Sequence, residues 1–345
     1  MDEMNQHRRT ILKAGLLVGV GGTWSGLRTA VNPDTRKKLK KLPGGFWPVM
    51  MTPFTGDLKI DYSGLERLIK WYERAGASGF FANCASSEMY QLDAAERLEL
   101  TRFVVEHTRL PVVSTGTFYP GARENAEYIK KISDTGVKAV VMIPSVMVEE
   151  STSDDELLKV FENILDMTGK IPLGIYECPG PYHRLVNAEL LSKLNDSGRF
   201  LYFKDTSCNA EAVDKKIEKT SGSRMSIYNA YSPDALHFIQ QGGAGVSCIA
   251  GNYYPELFSY ICQNGRKDVI STSTAEVNQF ILDGESVINR KYPLASKYFM
   301  NLRGLGVNVN SRKGTAPLDQ NDEKKLNLLW NSLQELAQKH KIKLA

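Results

Sequence analysis

Short apolar runs alternate with amphipathic stretches along most of the chain. The runs are continuously apolar, which is typical of parallel strands that are buried on both faces. They occupy residues 45–54, 79–84, 111–117, 139–144, 172–178, 200–207, 225–230 and 245–250. Each is followed by a stretch that favours a helix; in residues 61–76, for example, Leu65, Leu68, Ile69 and Tyr72 fall on one face. Eight strand–helix units in succession predict an α/β fold, a closed (β/α)8 TIM barrel.

The predicted barrel does not account for the whole chain. The regular alternation spans residues 45–265, and residues 266–345 are helical in tendency, with breaks near Pro293 and across residues 304–317. We interpret this second part as a C-terminal helical region that packs on the barrel. Residues 31–44 include a basic run that is typical of a solvated linker. The chain is therefore predicted to form one barrel domain with an extension at each end.

The N-terminal residues 1–30 resemble a twin-arginine export signal. Arg8 and Arg9 precede an apolar, glycine-rich run at residues 14–22. That run is about half the roughly 20 residues that a membrane-spanning helix needs. We therefore expect an exported, periplasmic protein; the alternative is a cytoplasmic protein with a disordered basic tail.

Composition and charge narrow the range of partners and cofactors. The chain is 42% hydrophobic and 24% charged, and its formal charge of +4 gives no electrostatic case for a nucleic-acid partner. Its five cysteines have no CxxC spacing, its five histidines lack metal-ligand spacing, and no GxGxxG follows the first strand. The sequence therefore predicts neither a metal site nor an organic cofactor. This argues against a zinc-dependent aldolase and against a barrel oxidoreductase.

One lysine stands in an apolar strand. Lys204 lies near the C-terminal end of the run at residues 200–207, where an ammonium group is unfavourable unless it is paired or neutral. In one interpretation, the aliphatic part of the Lys204 side chain packs against the strand and its ammonium group reaches solvent. In the other, the amine is desolvated, and its lowered pKa leaves it neutral and able to attack a carbonyl. In a TIM barrel the active site is built at the C-terminal ends of the strands, which favours the second interpretation.

A tyrosine stands at the corresponding place on the preceding strand. Tyr176 nearly ends the fifth apolar run. Neighbouring strands lie about 4.8 Å apart, so Tyr176 and Lys204 are expected to be near neighbours inside the barrel mouth. A phenol beside an amine suits imine chemistry, because it can shuttle the protons of carbinolamine formation and C–C cleavage. We therefore predict Lys204 and Tyr176 as catalytic residues.

Several segments resemble those of a known family. Residues 45–54 are similar to the opening strand of the dihydrodipicolinate synthase and N-acetylneuraminate lyase family, residues 175–179 to its strand-five tyrosine motif, and residues 203–205 to its Schiff-base lysine motif. Residues 242–252 resemble its strand-eight glycine segment. The resemblance implies a class I aldolase or synthase whose lysine forms an imine with pyruvate or another 2-oxo acid, without a metal or organic cofactor. It also implies a homo-oligomer, either a tetramer or a dimer.

The resemblance also points to a substrate-binding site. In the loop after strand two, the Ser86 hydroxyl and backbone N–H groups are expected to grip the carboxylate of the oxo acid. Glu88 is expected to anchor this loop through backbone N–H groups. His183 and Arg184 are candidates for reading the variable end of the substrate; alternatively, they are two solvated loop residues. The predicted substrate-binding residues are Ala85, Ser86, Ser87, Ser247, His183 and Arg184.

Three positions depart from the family pattern. Ala85 replaces a hydroxyl of the synthases' proton relay, Val146 aligns with the tyrosine that completes the relay across a subunit contact, and Pro181 stands where an arginine holds the aldehyde substrate. These departures disfavour a role in lysine biosynthesis. They favour a Schiff-base-forming lyase, an aldolase or dehydratase, acting on a sugar-acid-like 2-oxo acid. The alternatives are a condensing enzyme of the dihydrodipicolinate synthase type and a non-catalytic 2-oxo-acid binding protein on the same scaffold.

Overall fold

Eight parallel strands form the sheet around which the protein is built. The computed structural model describes residues 39–345, so the predicted export signal and most of the predicted linker lie outside the described residues. The strands are β1 (Gly45–Phe46), β2 (Phe80–Phe81), β3 (Val112–Thr115), β4 (Ala139–Met142), β5 (Leu173–Tyr176), β6 (Phe200–Asp205), β7 (Ser226–Asn229) and β8 (Gly245–Val246). They pair in the order β1-β8-β7-β6-β5-β4-β3-β2. The predicted α/β barrel architecture is confirmed.

Hydrogen bonds around β1 and β2 join the two ends of this sheet. The Phe81 amide donates to the Pro48 carbonyl and the Met50 amide donates to the Phe81 carbonyl, both at 3.0 Å. A parallel bridge between Val49 and Phe81 accompanies these bonds. The sheet therefore closes on itself, as a barrel requires.

The first apolar run forms much less strand than the sequence predicts. Within residues 45–54, only Gly45–Phe46 belongs to a ladder. Pro48 and Pro53 have no N–H group to donate, so a continuous ladder cannot run through them. The run instead continues as buried backbone of irregular shape along the barrel wall.

The described residues also form twelve α-helices. They are α1 (Tyr62–Arg74), α2 (Ala94–Glu106), α3 (Ala122–Ser133), α4 (Pro144–Met147), α5 (Asp154–Thr168), α6 (Ala188–Asn195), α7 (Ala210–Lys219), α8 (Ala235–Gln240), α9 (Pro255–Asn264), α10 (Thr272–Ile288), α11 (Leu294–Leu302) and α12 (Gln320–His340). A capping box begins α2, with the Glu96 amide donating to Asp93 at 2.8 Å and the Asp93 amide donating to Glu96 at 3.0 Å. The short helix α4 is the one the sequence analysis did not predict. Within this part of the chain, no helix has the length and apolar character needed to cross a membrane.

Aromatic side chains fill the barrel interior. The rings of Tyr202 and Tyr228 stack with their centres 4.8 Å apart, and the Trp47 ring packs 5.1 Å from that of Tyr228. The edge of the Phe81 ring meets Tyr202 at 5.6 Å, and all four side chains are fully buried. Tyr202 precedes Lys204 by one inward-facing position on β6. The packed layer therefore lies beneath Lys204 and confines any chemistry to the C-terminal end of the strands.

The C-terminal helical region is joined to the barrel through Glu88, which is fully buried. One oxygen of its carboxylate lies 3.3 Å from the Lys297 ammonium on α11. The other accepts hydrogen bonds from the Ser311 hydroxyl at 2.9 Å and from the Arg312 amide at 2.7 Å. Glu88 thus anchors the loop after β2, and its partners come from the C-terminal region.

Replacing Lys297 with methionine should destabilise the protein, because the buried Glu88 carboxylate loses its cation. Removing one partner of a buried ion pair typically lowers the free energy of unfolding by roughly 3–5 kcal/mol. Urea denaturation of Lys297→Met would measure this loss. The exposed pair of Lys70 and Glu66 supplies the control, since Lys70→Met should change the same quantity by less than about 1 kcal/mol. Equal losses in the two variants would contradict the anchoring role of Glu88.

Candidate active site

Lys204 and Tyr176 face each other at the C-terminal end of the barrel. They are paired across the β5–β6 ladder, and the Lys204 Nζ atom lies 4.3 Å from the centre of the Tyr176 ring. Both side chains are buried, with 3% of Lys204 and 4% of Tyr176 exposed. The Phe81 ring centre lies 5.9 Å from the same Nζ atom. The structure thus brings the two predicted catalytic residues together.

The surroundings of Lys204 favour a neutral amine. Burial lowers the pKa of Lys204 below its ordinary value. The ionisable groups that act on it are the thiols of Cys84, Cys178 and Cys248, and no carboxylate within residues 39–345 is among them. Burial raises the pKa of Cys178 and raises that of Cys248 to about 12, so these two thiols carry no charge near neutral pH. The site therefore stabilises the form of the amine that attacks a carbonyl.

The same burial keeps Tyr176 protonated. It raises the pKa of the Tyr176 phenol well above its usual range, and the neighbouring Cys178 and Cys84 thiols act in the same direction. A protonated phenol in contact with an amine can donate its proton to a leaving oxygen and recover a proton in a later step.

The loop after β2 forms a tight 3₁₀ turn at Ala85–Ser87. The Ser87 hydroxyl lies 2.7 Å from the carbonyl oxygens of both Met50 and Ala82, and it accepts a hydrogen bond from the Cys84 amide at 3.1 Å. The structure therefore gives Ser87 a role in holding the turn, where the sequence analysis predicted a substrate contact. The Ala85 and Ser86 amides, the first two of the turn, donate to no acceptor within residues 39–345.

A phenol from the C-terminal region reaches this turn. Tyr292, between α10 and α11, accepts a hydrogen bond from the Asn252 side chain at 2.8 Å and points its hydroxyl at the Met51 sulfur, 3.1 Å away. The Ser86 side chain lies near enough to act on the pKa of this phenol, which it lowers against the larger rise that burial causes. The sequence analysis missed Tyr292, because no motif or spacing links it to a turn so far away in the chain.

Ser247 lies deeper in the barrel than the predicted substrate contact implies. It follows β8, is fully buried, and its hydroxyl accepts a hydrogen bond from the Tyr202 hydroxyl at 3.1 Å. Its amide donates to the Asn229 carbonyl at 2.8 Å. Ser247 therefore stands in the layer beneath the Lys204 amine, where it supports the aromatic packing.

The structure does not bring His183 and Arg184 to Lys204. Arg184 forms an ion pair with Asp154 at 2.6 Å, and the His183 Nε2 atom lies 2.7 Å from the Thr206 hydroxyl. Both residues line a pocket of about 450 Å³ whose described wall does not include Lys204. Their placement gives no support to the predicted contact with the variable end of the substrate, because Arg184 is paired with the first residue of α5 and His183 with the loop after β6.

Two further polar side chains are buried near the mouth. Asn83 and Thr115 stand two residues beyond Phe81 and Val113, which face the barrel interior. The Asn83 amide group and the Thr115 hydroxyl have no hydrogen-bond partner among residues 39–345. Buried polar atoms are usually paired, so these groups make this side of the interior suitable for water or a polar ligand. In the same residues, no three acidic, histidine or cysteine side chains are grouped to hold a metal ion.

Comparisons with known proteins agree with this geometry. Residues 42–332 match the model of the dihydrodipicolinate synthetase family. A 4-hydroxy-tetrahydrodipicolinate synthase of Methanosarcina mazei is 29% identical over 215 residues, which cover 62% of this chain and 72% of that protein. The putative 2-dehydro-3-deoxy-D-gluconate aldolase YagE of Escherichia coli is 25% identical over 296 residues, which cover 84% of this chain and 96% of YagE.

Solved structures show the same fold. The crystal structure of YagE in complex with pyruvate superposes with a TM-score of 0.74 at 24% identity, covering 87% of this chain and 99% of that one. A monomeric dihydrodipicolinate synthase variant has a TM-score of 0.77 at 16% identity, covering 85% of this chain and 98% of that one. Because the family model spans most of the chain, the protein belongs to the dihydrodipicolinate synthetase family and is an enzyme of the class I pyruvate-dependent aldolase and lyase type.

Proposed function

We propose that the protein is a Schiff-base-forming lyase, an aldolase or dehydratase, that acts on a sugar-acid-like 2-oxo acid. Lys204 forms the imine and Tyr176 shuttles protons. One observation carries the proposal: a buried amine, with no carboxylate acting on it among the described residues, lies 4.3 Å from a phenol ring at the C-terminal end of the barrel. Membership of a pyruvate-dependent family supports the same chemistry.

Imine formation uses both side chains. The neutral Lys204 amine attacks C2 of the 2-oxo acid, a C–N bond forms, and the former carbonyl oxygen becomes a hydroxyl. Tyr176 protonates this hydroxyl, which leaves as water, and a protonated imine and a phenolate remain. In this buried site the phenolate is a strong base and recovers a proton readily.

Bond cleavage follows from the positive charge on the imine nitrogen. In an aldolase, the Tyr176 phenolate takes the proton of the C4 hydroxyl and the C3–C4 bond breaks. An aldehyde leaves, and the electron pair of the broken bond moves towards nitrogen as an enamine. In a dehydratase, a base removes a proton from C3 and the C4 hydroxyl leaves as water once it is protonated. Both routes need the same amine and phenol.

The turn after β2 supplies the carboxylate anchor in this proposal. The Ala85 and Ser86 amides and the Ser86 hydroxyl provide donors, and two adjacent free amides form the kind of concavity that binds anions. The Lys313 ammonium lies 3.0 Å from the Ala85 carbonyl and adds a positive charge beside the turn. An anionic substrate is therefore held with its carboxylate next to the C-terminal region.

Tyr292 replaces part of the missing proton relay in this scheme. Position 85 carries no hydroxyl, and Val146 packs its apolar side chain against the cluster in the barrel interior. The Tyr292 phenol restores a hydroxyl next to Ser86. Together with the hydroxyls of a sugar-acid substrate, it provides a path for protons beside the imine.

A second candidate function is the condensing reaction of a dihydrodipicolinate synthase. The synthase names of relatives such as that of Methanosarcina mazei favour it. Val146 and Pro181, which stand at the family's relay tyrosine and aldehyde-binding arginine, argue against it. The aldolase name of YagE, which matches over 84% of this chain, accords with a sugar-acid substrate.

The first test traps the imine. Incubation with pyruvate and borohydride should add mass to the peptide that contains Lys204, because reduction makes the imine permanent. Lys204→Ala should abolish the adduct, whereas Lys215→Ala, at an exposed lysine, should leave it unchanged. Mass spectrometry of the digested protein gives the answer. An adduct that persists in Lys204→Ala would place the imine on another lysine and overturn the proposal.

The lowered pKa of Lys204 predicts two pH dependences. The trapping rate should rise with pH and level off below 10.5, the ordinary value, because the neutral amine forms earlier. Between the lowered pKa and 10.5 the unfolded chain binds more protons than the folded one, so the stability of the protein rises with pH across this window. Below the lowered pKa the amine is charged in both states, so the cost of burying this charge lowers the stability by an amount that does not change with pH.

Lys204→Met removes this penalty and should increase the free energy of unfolding at pH 7 by roughly 0.5–2 kcal/mol. The gain should shrink as the pH rises towards 10.5, and it should be smallest well above 10.5, where the wild-type amine is neutral in both the folded and the unfolded state. Urea denaturation at several pH values would measure it, with Lys215→Met as the control. A Lys204→Met variant less stable than wild type at pH 7 would contradict a desolvated amine.

The role of Tyr176 predicts a kinetic defect. Tyr176→Phe should slow pyruvate release from 2-oxo-3-deoxy sugar acids by roughly 10²–10⁴-fold, the usual contribution of a general acid–base group. Borohydride trapping should still detect the imine after long incubation. A coupled assay for pyruvate measures the rates, and the same assay format with aspartate semialdehyde tests condensation. Efficient condensation by the wild-type protein would establish the second candidate function instead.

A further inference from the structure

A buried ion cluster lies directly behind the Tyr176–Lys204 pair. Glu177 and Asp205 follow these two residues, and strand alternation turns them towards the helices outside the barrel. The Lys216 ammonium, on α7, lies 2.6 Å from an oxygen of each carboxylate. Glu177, Asp205 and Lys216 are 0%, 1% and 2% exposed. One cation thus joins the ends of β5 and β6 from outside.

The Glu177 carboxylate connects several segments of the chain. The oxygen that contacts Lys216 also accepts a hydrogen bond from the Val186 amide at 2.8 Å, and the other oxygen accepts one from the Thr206 amide at 2.9 Å. The Glu177 amide donates to the Lys204 carbonyl at 3.3 Å. The main chain at Lys204 and at Thr206, two residues further on, is therefore tied to the residue that follows Tyr176.

Stability alone does not account for such a cluster. Two carboxylates share one ammonium, so the fully ionised cluster carries a net charge of −1 in a buried place. Buried ion pairs are often no more stable than apolar side chains of the same volume, and an excess buried charge is unfavourable. Such a group is understandable where a fixed position matters more than stability.

We propose that Glu177, held by Lys216, is a positioning residue that keeps the Tyr176 phenol against the Lys204 amine. This inference rests on the proposed imine chemistry. Every partner of the Glu177 carboxylate is a donor: the Lys216 ammonium and the Val186 and Thr206 amides. Only the ionised carboxylate can accept from all of them. A proton on Glu177 would point at a donor and break at least one of these bonds.

The charges around Glu177 set the pH at which this happens. Asp205 faces it from β6, Lys216 from α7, and Cys208 lies in the loop after β6; His183 contacts the Thr206 hydroxyl. Burial raises the pKa of Glu177 to about 7, with Asp205 acting in the same direction and Lys216 against it. Burial lowers the pKa of His183, so its ring is neutral above its ordinary value of 6.5. The bonds that the ionised Glu177 carboxylate makes are therefore intact above about pH 7, and at least one of them is lost as the pH falls through that value.

Deuterium exchange into the methyl group of pyruvate tests the inference without a second substrate. The imine loses a methyl proton to give the enamine, and the enamine takes a deuteron from D₂O, so NMR reports proton transfer next to Lys204. Glu177→Gln should slow this exchange at saturating pyruvate by about 10–100-fold, as small misplacements of reacting groups do. The variant should fold, because it leaves Lys216 and Asp205 as a neutral pair.

Two further readouts separate positioning from general damage. The pyruvate concentration for half-maximal borohydride trapping should change by less than about threefold, because the carboxylate anchor at Ala85–Ser87 is untouched. The acid-side fall of the wild-type exchange rate near pH 7 should be absent from Glu177→Gln. The control is Lys215→Met on the same helix, whose exposed partner Glu211 lies 2.7 Å away, and it should behave as wild type.

A double variant shows whether Glu177 acts through Tyr176. In a Tyr176→Phe background, Glu177→Gln should lower the exchange rate by less than about twofold more, because residues that act together are not additive. A further loss of the exchange rate by about 10–100-fold in the double variant, as large as the loss that Glu177→Gln alone should cause, would overturn the inference. A deuterium exchange rate in Glu177→Gln that equals the wild-type rate and still falls below about pH 7 would also overturn it.

A second substitution covers the case in which Glu177→Gln does not fold. Lys216→Met leaves Glu177 facing Asp205 without a cation, which raises the Glu177 pKa further. The acid-side fall should then move to higher pH, and an unmoved profile would overturn the inference. Failure of the wild-type protein to be trapped by pyruvate would overturn the proposed function itself, whereas normal trapping with an unaffected Glu177→Gln would overturn only this inference.

Discussion

The site depends on a lysine amine on which no carboxylate of residues 39–345 acts. Aromatic rings lie beneath and beside Lys204, and the thiols that act on it are buried. The raised pKa values of Cys178 and Cys248 keep these two thiols protonated. An ammonium group in such a place is unfavourable, so the neutral amine is stabilised relative to its cation. The condition that makes the amine a nucleophile at moderate pH also makes the fold less stable than it would be with an apolar residue there.

Strand alternation separates this amine from the carboxylates that directly follow Tyr176 and Lys204 in sequence. Glu177 and Asp205 directly follow Tyr176 and Lys204, yet they point outward, where Lys216 meets them. A carboxylate beside the amine would raise its pKa and hold it as an ammonium. A shift of one residue in strand register would exchange the two faces and place the ions inside. The register of β5 and β6 is therefore as important to the chemistry as the residues themselves, and the outer ion cluster ties the two strand ends in that register.

How much of this could be predicted from the sequence depends on the distance over which each contact acts. The meeting of Lys204 and Tyr176 was predictable, because adjacent parallel strands of a barrel must end side by side. The approach of Tyr292 to the turn that holds Ser86 was not, since it depends on how the C-terminal helices dock and no periodicity encodes that. Ser87 shows a different limit: its residue type suggests ligand binding, but its hydroxyl is used by backbone carbonyls that lie beside the turn only in the folded chain.

The C-terminal region links the stability of the fold to the chemistry of the mouth. The family resemblance places Val146 where the relay of the synthases ends on a tyrosine from across a subunit contact. Tyr292 reaches Ser86 from within the same chain. The region that carries it is fastened to the same loop through Glu88, two residues after Ser86. Because one docking contact fixes both the turn and the phenol, loosening it would move the carboxylate anchor and the nearby hydroxyl together. The position of this hydroxyl is therefore set by how the helices of one chain pack, and a partner subunit is not needed to provide it.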